Sequence, residues 1–242
     1  MKVTIVLPTY NEAENIKDFL NEVFKVIPQI EGFEINTLIV DDNSPDGTAN
    51  IVKKMQESNP NIYLLENNTR GLGKAYRAGF KYAIDNLNAE VLIEMDSDFS
   101  HTPENLREIL PPINKGYDFV IGSRYIKGGS IPTDWPFIRK MNSKYGNIFA
   151  RFVAGLMQVK DCTSGFRAIR ADFIKQIDLE HLNVKGYAFQ MNILFECIKL
   201  GAKTYEIPID FIDRVKGKSK LRIDDVIEFL INSFDLFIRR FK

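Results

Sequence analysis

Several features that would assign a protein to a class at once are missing from this sequence. Its 242 residues include only two cysteines, Cys162 and Cys197, which are too few for a disulfide framework and form no metal-binding pair. No run of about 18 apolar residues occurs, so no membrane-spanning helix is predicted. Lys and Arg together number 32, as do Asp and Glu, and this zero net charge gives no reason to expect nucleic-acid binding. The chain opens directly on a strand-like run, so we expect no signal peptide. The two cysteines are expected to be free thiols in a reducing cytoplasm.

Two glycine signatures of nucleotide binding are absent as well. In the segment NTRGLGKAYRAGF, Asn68 stands where a P-loop needs its first glycine, and Ala75 follows Gly73-Lys74 where Ser or Thr is required. Tyr76 occupies the last glycine position of the dinucleotide signature, which disfavours a dehydrogenase. We interpret the segment as a tight turn into a helix that borders a nucleotide.

The first half of the chain alternates short β-branched runs with segments of helical periodicity. Strands are predicted over residues 3–7, 35–40, 62–65, 91–95 and 119–122, and helices over 11–26, 48–58, 73–86 and 103–113. Asn11 is expected to cap the first helix. Continuous apolar strands that alternate with helices predict an α/β fold, with a mostly parallel sheet covered on both faces.

The pattern changes after Gly122. Residues 124–140 are rich in Gly, Pro and basic side chains and predict a loop, and the small residues around 161–168 predict a turn. Helices are expected over 142–157, 187–200 and 224–241, a strand over 205–211 interrupted by Pro208, and a basic loop over 213–222.

Polar clusters follow three of the predicted strands: PTYNE at 8–12, DDNSPDGT at 41–48 and DSD at 96–98. Ligands of an open parallel sheet bind outside the carboxyl ends of its strands, so these clusters are expected at one edge. Asp42 directly follows its strand, where a carboxylate can accept a hydrogen bond from a base or ribose. The residues NSPDGT alone are equally typical of a turn and a helix cap.

The aspartates of DSD would repel each other unless a cation lay between them. Mg²⁺ or Mn²⁺ prefers carboxylate oxygens and takes its other ligands from water and phosphates, so Asp96 and Asp98 suit a cation that also holds a diphosphate. A D-x-D pair by itself is a weak motif. Its position after a buried strand favours the metal site.

Basic residues in Gly- and Pro-rich settings favour loops that close over a phosphate ligand. This set comprises Arg124, Arg139, Lys140, Arg214, Lys218 and Lys220. A solvated basic face is the plain alternative for any one of them. Asp161 is either a capping residue or a carboxylate that faces the reacting centre.

The motifs PTYNE, VDDNSPDGT, EMDSDFSH, GSRY, WPFIRK, TSGFRA, GYAFQ and GKSKL, in this order, resemble those of family 2 glycosyltransferases. The combination of WPFIRK with R-x-x-G-x-SKL is more closely similar to dolichyl- or polyprenyl-phosphate mannosyltransferases, and GYAFQ and SDFSH resemble their stand-alone members without transmembrane domains. The resemblance implies a GT-A-like three-layer αβα sandwich with a catalytic domain over 1–223. Apart from the resemblance, the apolar spacing and basic end of residues 224–242 predict an amphipathic helix that either faces the membrane or packs on the sheet.

The resemblance also implies roles for individual residues. Guanosine would be held by Pro8, Tyr10, Glu12, Val40 and Asp42. The metal and diphosphate would be held by Asp96, Ser97 and Asp98, with Arg214 and Lys220 closing over the diphosphate. Arg124, Arg139 and Ser143 would receive the acceptor phosphate. We expect the catalytic residues to be Asp98, Arg124, Arg139, Asp161 and Lys220, with Asp161 orienting the acceptor or the sugar. Some members carry Gln where this chain has Ser100, which leaves open a third protein ligand to the metal.

The implied reaction transfers mannose from GDP-mannose to a polyprenyl or dolichyl phosphate with inversion, at the cytoplasmic face of a membrane and either alone or with a membrane partner protein. Two alternatives remain at this point. One is a transferase that uses UDP-glucose or another UDP-sugar with the same acceptor, since contacts to metal and diphosphate do not distinguish the base. The other is a catalytically silent nucleotide-binding module that recruits a membrane partner.

Overall fold

The computed structural model describes residues 1–180, 182, 186–213 and 223–241. Seven strands form one sheet: β1 (Lys2–Thr9), β2 (Glu34–Asp41), β3 (Ile62–Glu66), β4 (Val91–Glu94), β5 (Phe119–Ser123), β6 (Arg167–Arg170) and β7 (Thr204–Pro208). The α-helices are α1 (Ile16–Val26), α2 (Thr48–Gln56), α3 (Leu72–Leu87), α4 (Leu106–Ile109), α5 (Pro111–Asn114), α6 (Phe137–Ala154), α7 (Ala171–Ile174), α8 (Gly186–Lys199) and α9 (Ile223–Arg239).

The strand order is β3-β2-β1-β4-β6-β5-β7. Pairing is parallel between β1 and β2, β1 and β4, β2 and β3, and β5 and β7. Only β6 runs antiparallel to its neighbours β4 and β5 within the described sheet. The prediction of a mostly parallel sheet is therefore confirmed.

Side chains alternate between the two faces of the sheet, as the pleat of a strand requires. Val6 of β1 and Leu38 of β2 pack in one core with α3, α6, α8 and α9. Leu7 and Ile39, one residue further along, pack in a second core with α1, α2, α4 and α5. Helices thus cover both faces, which confirms the three-layer αβα sandwich.

Two predicted helix boundaries are wrong for identifiable reasons. Asn11 has a φ of 59°, a left-handed conformation that cannot begin a right-handed helix, so the chain first turns and α1 starts at Ile16. The segment 103–113 is not one helix but a 3₁₀ turn followed by the short helices α4 and α5. Pro111 and Pro112 lack the N–H that a continuous helix would need there.

Three further elements also differ from prediction. The predicted loop 124–140 ends early, because α6 begins at Phe137 and includes FIRK. The late strand ends at Pro208 and does not reach Phe211. The strand β6 was not predicted, because it has only two apolar residues between two arginines and so lacks the apolar run that indicates a strand.

Helix α9 packs on α6 and α8 through the fully buried Leu236 and a hydrogen bond of 2.6 Å from Asn192 Nδ2 to Asn232 Oδ1. Helix α9 also exposes Ile231, Phe234 and Ile238, and α6 exposes Phe137, Ile138 and Phe152. Among the described residues, no helix is long and apolar enough to cross a bilayer.

Candidate active site

Hydrogen bonds between residues of the first two polar clusters link the carboxyl ends of β1 and β2. Thr9 Oγ1 donates to Asp41 Oδ1 at 3.0 Å, and Ser44 Oγ donates to the same oxygen at 2.7 Å. The Asn11 N–H in turn donates to Ser44 Oγ at 3.0 Å. The sequence motifs PTYNE and DDNSPDGT therefore form one structural unit at the edge of the sheet.

Asp42 organises the end of the third strand. Its two carboxylate oxygens accept hydrogen bonds from Asn67 Nδ2 at 2.7 Å and from the Gly71 N–H at 2.8 Å. Between those residues, Arg70 places its guanidinium carbon 3.6 Å from the centre of the Tyr10 ring. The motifs did not identify Arg70 or Asn67 as site residues, although both follow β3 in the segment expected to border a nucleotide.

The remaining residues predicted to hold guanosine differ in their surroundings. Pro8 pairs in register with Val40, but Val40 is fully buried and its Cγ2 lies against Gly79 of α3. Its side chain belongs to the core, so only its backbone can contact a ligand. Glu12 accepts a hydrogen bond of 2.9 Å from Asn15 Nδ2 at the start of α1.

Asp96, Ser97 and Asp98 follow β4 at the same edge of the sheet. Ser100 donates to Asp98 Oδ1 from its backbone N–H at 3.0 Å and from its hydroxyl at 2.6 Å. Ser97 and Asp98 are buried, whereas the side chain of Asp96 is more than a third exposed. Ser100 therefore orients the Asp98 carboxylate in this structure.

His101 lies beneath Asp96. Its Nδ1 accepts a hydrogen bond of 3.4 Å from the Asp96 N–H, and its ring stacks on Phe166 with a centroid distance of 5.5 Å. Burial lowers the pKa of His101 to about 4, so the imidazole is neutral near pH 7. His101 thus acts as a buried support for the backbone at Asp96.

Arg124 and Asp161 form a buried ion pair. The carboxylate accepts from Arg124 Nε at 2.7 Å, from its terminal nitrogen at 2.8 Å and from its backbone N–H at 3.1 Å. Burial opposes ionisation of Asp161, but the charge and hydrogen bonds of Arg124 outweigh it and lower the pKa of Asp161. The carboxylate is fully buried, so it holds Arg124 and does not face open solvent.

A second arginine lies near the start of α6. Arg139 donates to Asp213 through two bonds of 3.1 and 3.0 Å, and its guanidinium carbon lies 3.8 Å from the centre of the Trp135 ring. Ser143, one turn further along, shares a hydrogen bond of 2.5 Å with the hydroxyl of Tyr125. Arg214, Lys218 and Lys220, which follow Asp213 in the chain, lie outside the described residues.

The side chain of Phe211 contacts residues from several separate segments of the site. Its ring meets His101 at a centroid distance of 5.6 Å and Trp135 at 5.8 Å, and the Arg124 guanidinium carbon lies 5.5 Å from its centre. His101, Trp135 and Arg124 therefore surround one aromatic side chain. No sequence motif singled out Phe211.

A buried charge pair lies directly under the site. Arg167 approaches Glu94 to 3.7 Å, and both side chains are fully buried. Burial, only partly offset by Arg167, raises the pKa of Glu94 to about 7. Arg167 also donates to the carbonyls of Ser164 at 2.7 Å and Cys162 at 2.8 Å, which orders the loop that carries Asp161.

The residues present fit a divalent cation that is shared with a ligand. Among the described residues, no three His, Cys, Asp or Glu side chains are grouped to hold a metal by themselves. A pair of carboxylates is instead the kind of site in which Mg²⁺ or Mn²⁺ takes its remaining ligands from phosphate and water. Asp96 and Asp98 are the residues that would hold it.

The mostly parallel sheet, with polar clusters at the carboxyl ends of its strands, has a GT-A-like fold. The solved structure of glucosyl-3-phosphoglycerate synthase from Mycobacterium tuberculosis in complex with Mn²⁺ and UDP-glucose matches with a TM-score of 0.67 at 16% identity, over 97% of this chain and 79% of that one. This likeness concerns the fold.

A family model described as glycosyl transferase family 2 matches residues 4–178. The chain is 39% identical to the undecaprenyl-phosphate mannosyltransferase of Micrococcus luteus, over 96% of this chain and 92% of that protein. It is 35% identical to the polyprenol monophosphomannose synthase of Mycolicibacterium smegmatis, over 98% of this chain and 88% of that protein. The chain therefore belongs to glycosyl transferase family 2 and is an enzyme.

Proposed function

We propose that this enzyme transfers mannose from GDP-mannose to a polyprenyl phosphate, with inversion at the sugar carbon and with a divalent cation. Relatives named as mannosyltransferases of polyprenyl phosphates support the substrate classes, since they match nearly the whole chain. The observation that carries the proposal is the arrangement around Phe211, whose ring contacts both the His101 support of Asp96 and the residues Arg124 and Trp135. A donor half and an acceptor half thus adjoin.

The donor half would be formed by the ends of β1, β2, β3 and β4. The nucleoside lies over Pro8, Tyr10 and Glu12, with Asp42 accepting from the base or ribose. Arg70 adds a planar fork beside Tyr10, and such a fork can donate two hydrogen bonds to O6 and N7 of guanine. Uracil lacks that pair of acceptors, so Arg70 supports guanosine over uridine.

Asp96 and Asp98 would hold Mg²⁺ or Mn²⁺ together with the diphosphate, and Ser97 would contact the same group. The cation, when bound, reduces the negative charge on the departing diphosphate. Ser100 acts through its two hydrogen bonds to Asp98. Arg214 and Lys220 remain predicted contacts of the diphosphate.

The acceptor half would bind the phosphate through Arg124, Arg139 and Ser143. A phosphate monoester is largely ionised near neutral pH, so its oxygen needs orientation and removal of water more than it needs a base. Asp161 is then a positioning residue, because its carboxylate touches Arg124 through several hydrogen bonds.

A lipid acceptor also requires contact with a membrane. Helices α6 and α9 expose apolar side chains on one side of the protein, a surface we name the α6/α9 surface: Phe137, Ile138, Phe152, Phe234, Phe237 and Ile238. Such a patch on a soluble domain is typical of an interaction surface. We infer that it rests on the cytoplasmic face of the membrane and that residues 224–242 form the membrane-facing part of a catalytic unit over 1–223.

The test is a transfer assay with radiolabelled GDP-mannose or UDP-glucose, a polyprenyl phosphate and Mn²⁺ or Mg²⁺, followed by extraction of the lipid. Labelled lipid is expected from GDP-mannose only, and chelation of the cation should remove it. Labelling from UDP-glucose alone would favour the UDP-sugar alternative. Binding of nucleotide without any labelled lipid would favour the silent module.

A further inference from the structure

Trp135 is the only tryptophan of the chain, and 7% of its surface is exposed. Its indole Nε1–H is buried and has no hydrogen-bond partner in the part of the chain that the structure describes. Buried N–H groups without a partner are rare in folded proteins, and each one requires an explanation. An indole N–H can only donate, so the missing partner is an acceptor.

The neighbours of Trp135 indicate the charge of that acceptor. The Arg139 guanidinium lies over the face of the indole, with its carbon 3.8 Å from the ring centre. The Phe211 ring meets it edge-on at a centroid distance of 5.8 Å. A donor beside a guanidinium is suited to an anion with several oxygens, and an uncharged carbonyl would use only part of this arrangement.

The start of α6 also favours an anion. Its N-cap is Pro136, next to Trp135, and no side chain caps the free N–H groups of the first turn. An uncapped helix start attracts negative charge. The indole N–H, the Arg139 fork and this helix start therefore present donors within one short segment, 135–139.

We propose that Trp135 is a further binding residue for the acceptor, with its indole N–H donating to an oxygen of the lipid's phosphate. The inference rests on the proposed function, because it takes the anion near Arg139 to be the acceptor phosphate. A phosphate monoester has three outer oxygens, so one group can accept from Arg139 and from Trp135 together. Trp135 then has two roles. Its N–H donates to the phosphate, and its ring face packs against the Arg139 guanidinium.

The decisive variant is Trp135→Phe, which keeps an aromatic ring under Arg139 and lacks the N–H. A hydrogen bond to a charged group corresponds to an affinity change of roughly tenfold to a hundredfold. We expect KM for a short-chain prenyl phosphate to rise by about tenfold or more, with KM for GDP-mannose unchanged. Tyr205→Phe is the matched control, since it also removes one aromatic donor, from the partly exposed edge strand β7.

The native protein supplies an independent readout, because all tryptophan fluorescence comes from Trp135. Titration with the prenyl phosphate, and more weakly with inorganic phosphate, should change its emission, whereas GDP should not. If the native enzyme transfers mannose but Trp135→Phe leaves KM for the acceptor unchanged, a water satisfies the indole and the inference is wrong while the function stands. If no mannose is transferred, the function is wrong, and an emission that does not respond to the prenyl phosphate overturns the role of Trp135 as well.

Discussion

The pair formed by Arg124 and Asp161 can be tested by replacing Asp161 with Asn. The substitution keeps the size of the side chain and removes its charge. In place of the carboxylate, the Arg124 guanidinium then faces either an amide NH₂, which cannot accept its hydrogen bonds, or an amide oxygen, which accepts them more weakly. The guanidinium itself can only donate. Because Asp161 is fully buried and the Arg124 side chain is 9% exposed, water cannot replace the lost carboxylate without rearrangement.

Removal of one partner from a buried ion pair costs about 3–5 kcal/mol, since the other charge stays buried and uncompensated. In a domain of this size each kcal/mol lowers Tm by about 2–4 °C, so a fall of roughly 6–20 °C is expected. The sign of the pH dependence follows from the lowered pKa of Asp161. Its contribution to stability is present above the unfolded pKa of 3.8 and is lost as the pH falls through the folded value.

The assay is denaturant unfolding of the native protein and Asp161→Asn at neutral pH and again below pH 3.8. The matched control is Asp172→Asn, which breaks an exposed ion pair between Asp172 and Lys175. The Asp172 side chain is 81% exposed. That control should lose less than about 1 kcal/mol. If Asp161→Asn loses no more than Asp172→Asn at neutral pH, the buried pair does not stabilise the loop as described.

Four other outcomes follow from the site and the exposed surface. Asp98→Ala should lower kcat by several orders of magnitude in the transfer assay while the unfolding curve stays close to native, and near-native turnover with metal present would refute its role. Arg70→Ala should weaken GDP binding by roughly five- to a hundredfold, the range of one bidentate contact, with UDP binding unchanged by calorimetry. Phe152→Ser combined with Phe237→Ser should reduce flotation with anionic liposomes, and equal flotation would remove the α6/α9 surface as the membrane contact. Glu94→Gln should flatten the stability profile between pH 4.5 and about 7, where the native protein loses stability because the carboxyl ionises in the unfolded chain while the buried one keeps its proton, and an unchanged profile in urea would contradict the raised pKa.

The sheet could be predicted from the sequence where its strands are mostly apolar. Runs such as Val3–Leu7 and Val91–Met95 are buried on both faces of the sheet. Their near-continuous apolar side chains are typical of a buried β-strand. Polar residues directly after these strands then had to lie at one edge, because parallel strands end together. The common position of these polar clusters was predictable for this reason.

The antiparallel strand β6 could not be foreseen, because its identity depends on partners distant in the chain. Arg167 is fully buried and would count against a strand in any local pattern, yet Glu94 and three backbone carbonyls compensate its charge. The same limit applies to Asp161, whose partner Arg124 lies 37 residues earlier. Local sequence patterns carry no information about such pairs.

The contacts of Phe211 bear on how the two substrates would meet. Its ring contacts His101, which supports the Asp96 backbone, and it also contacts Arg124 and Trp135. Asp161 and Asp213 hold Arg124 and Arg139 in position. A phosphate bound to those arginines would reach the donor half already oriented and partly dehydrated, which is the contribution that an ionised acceptor needs most.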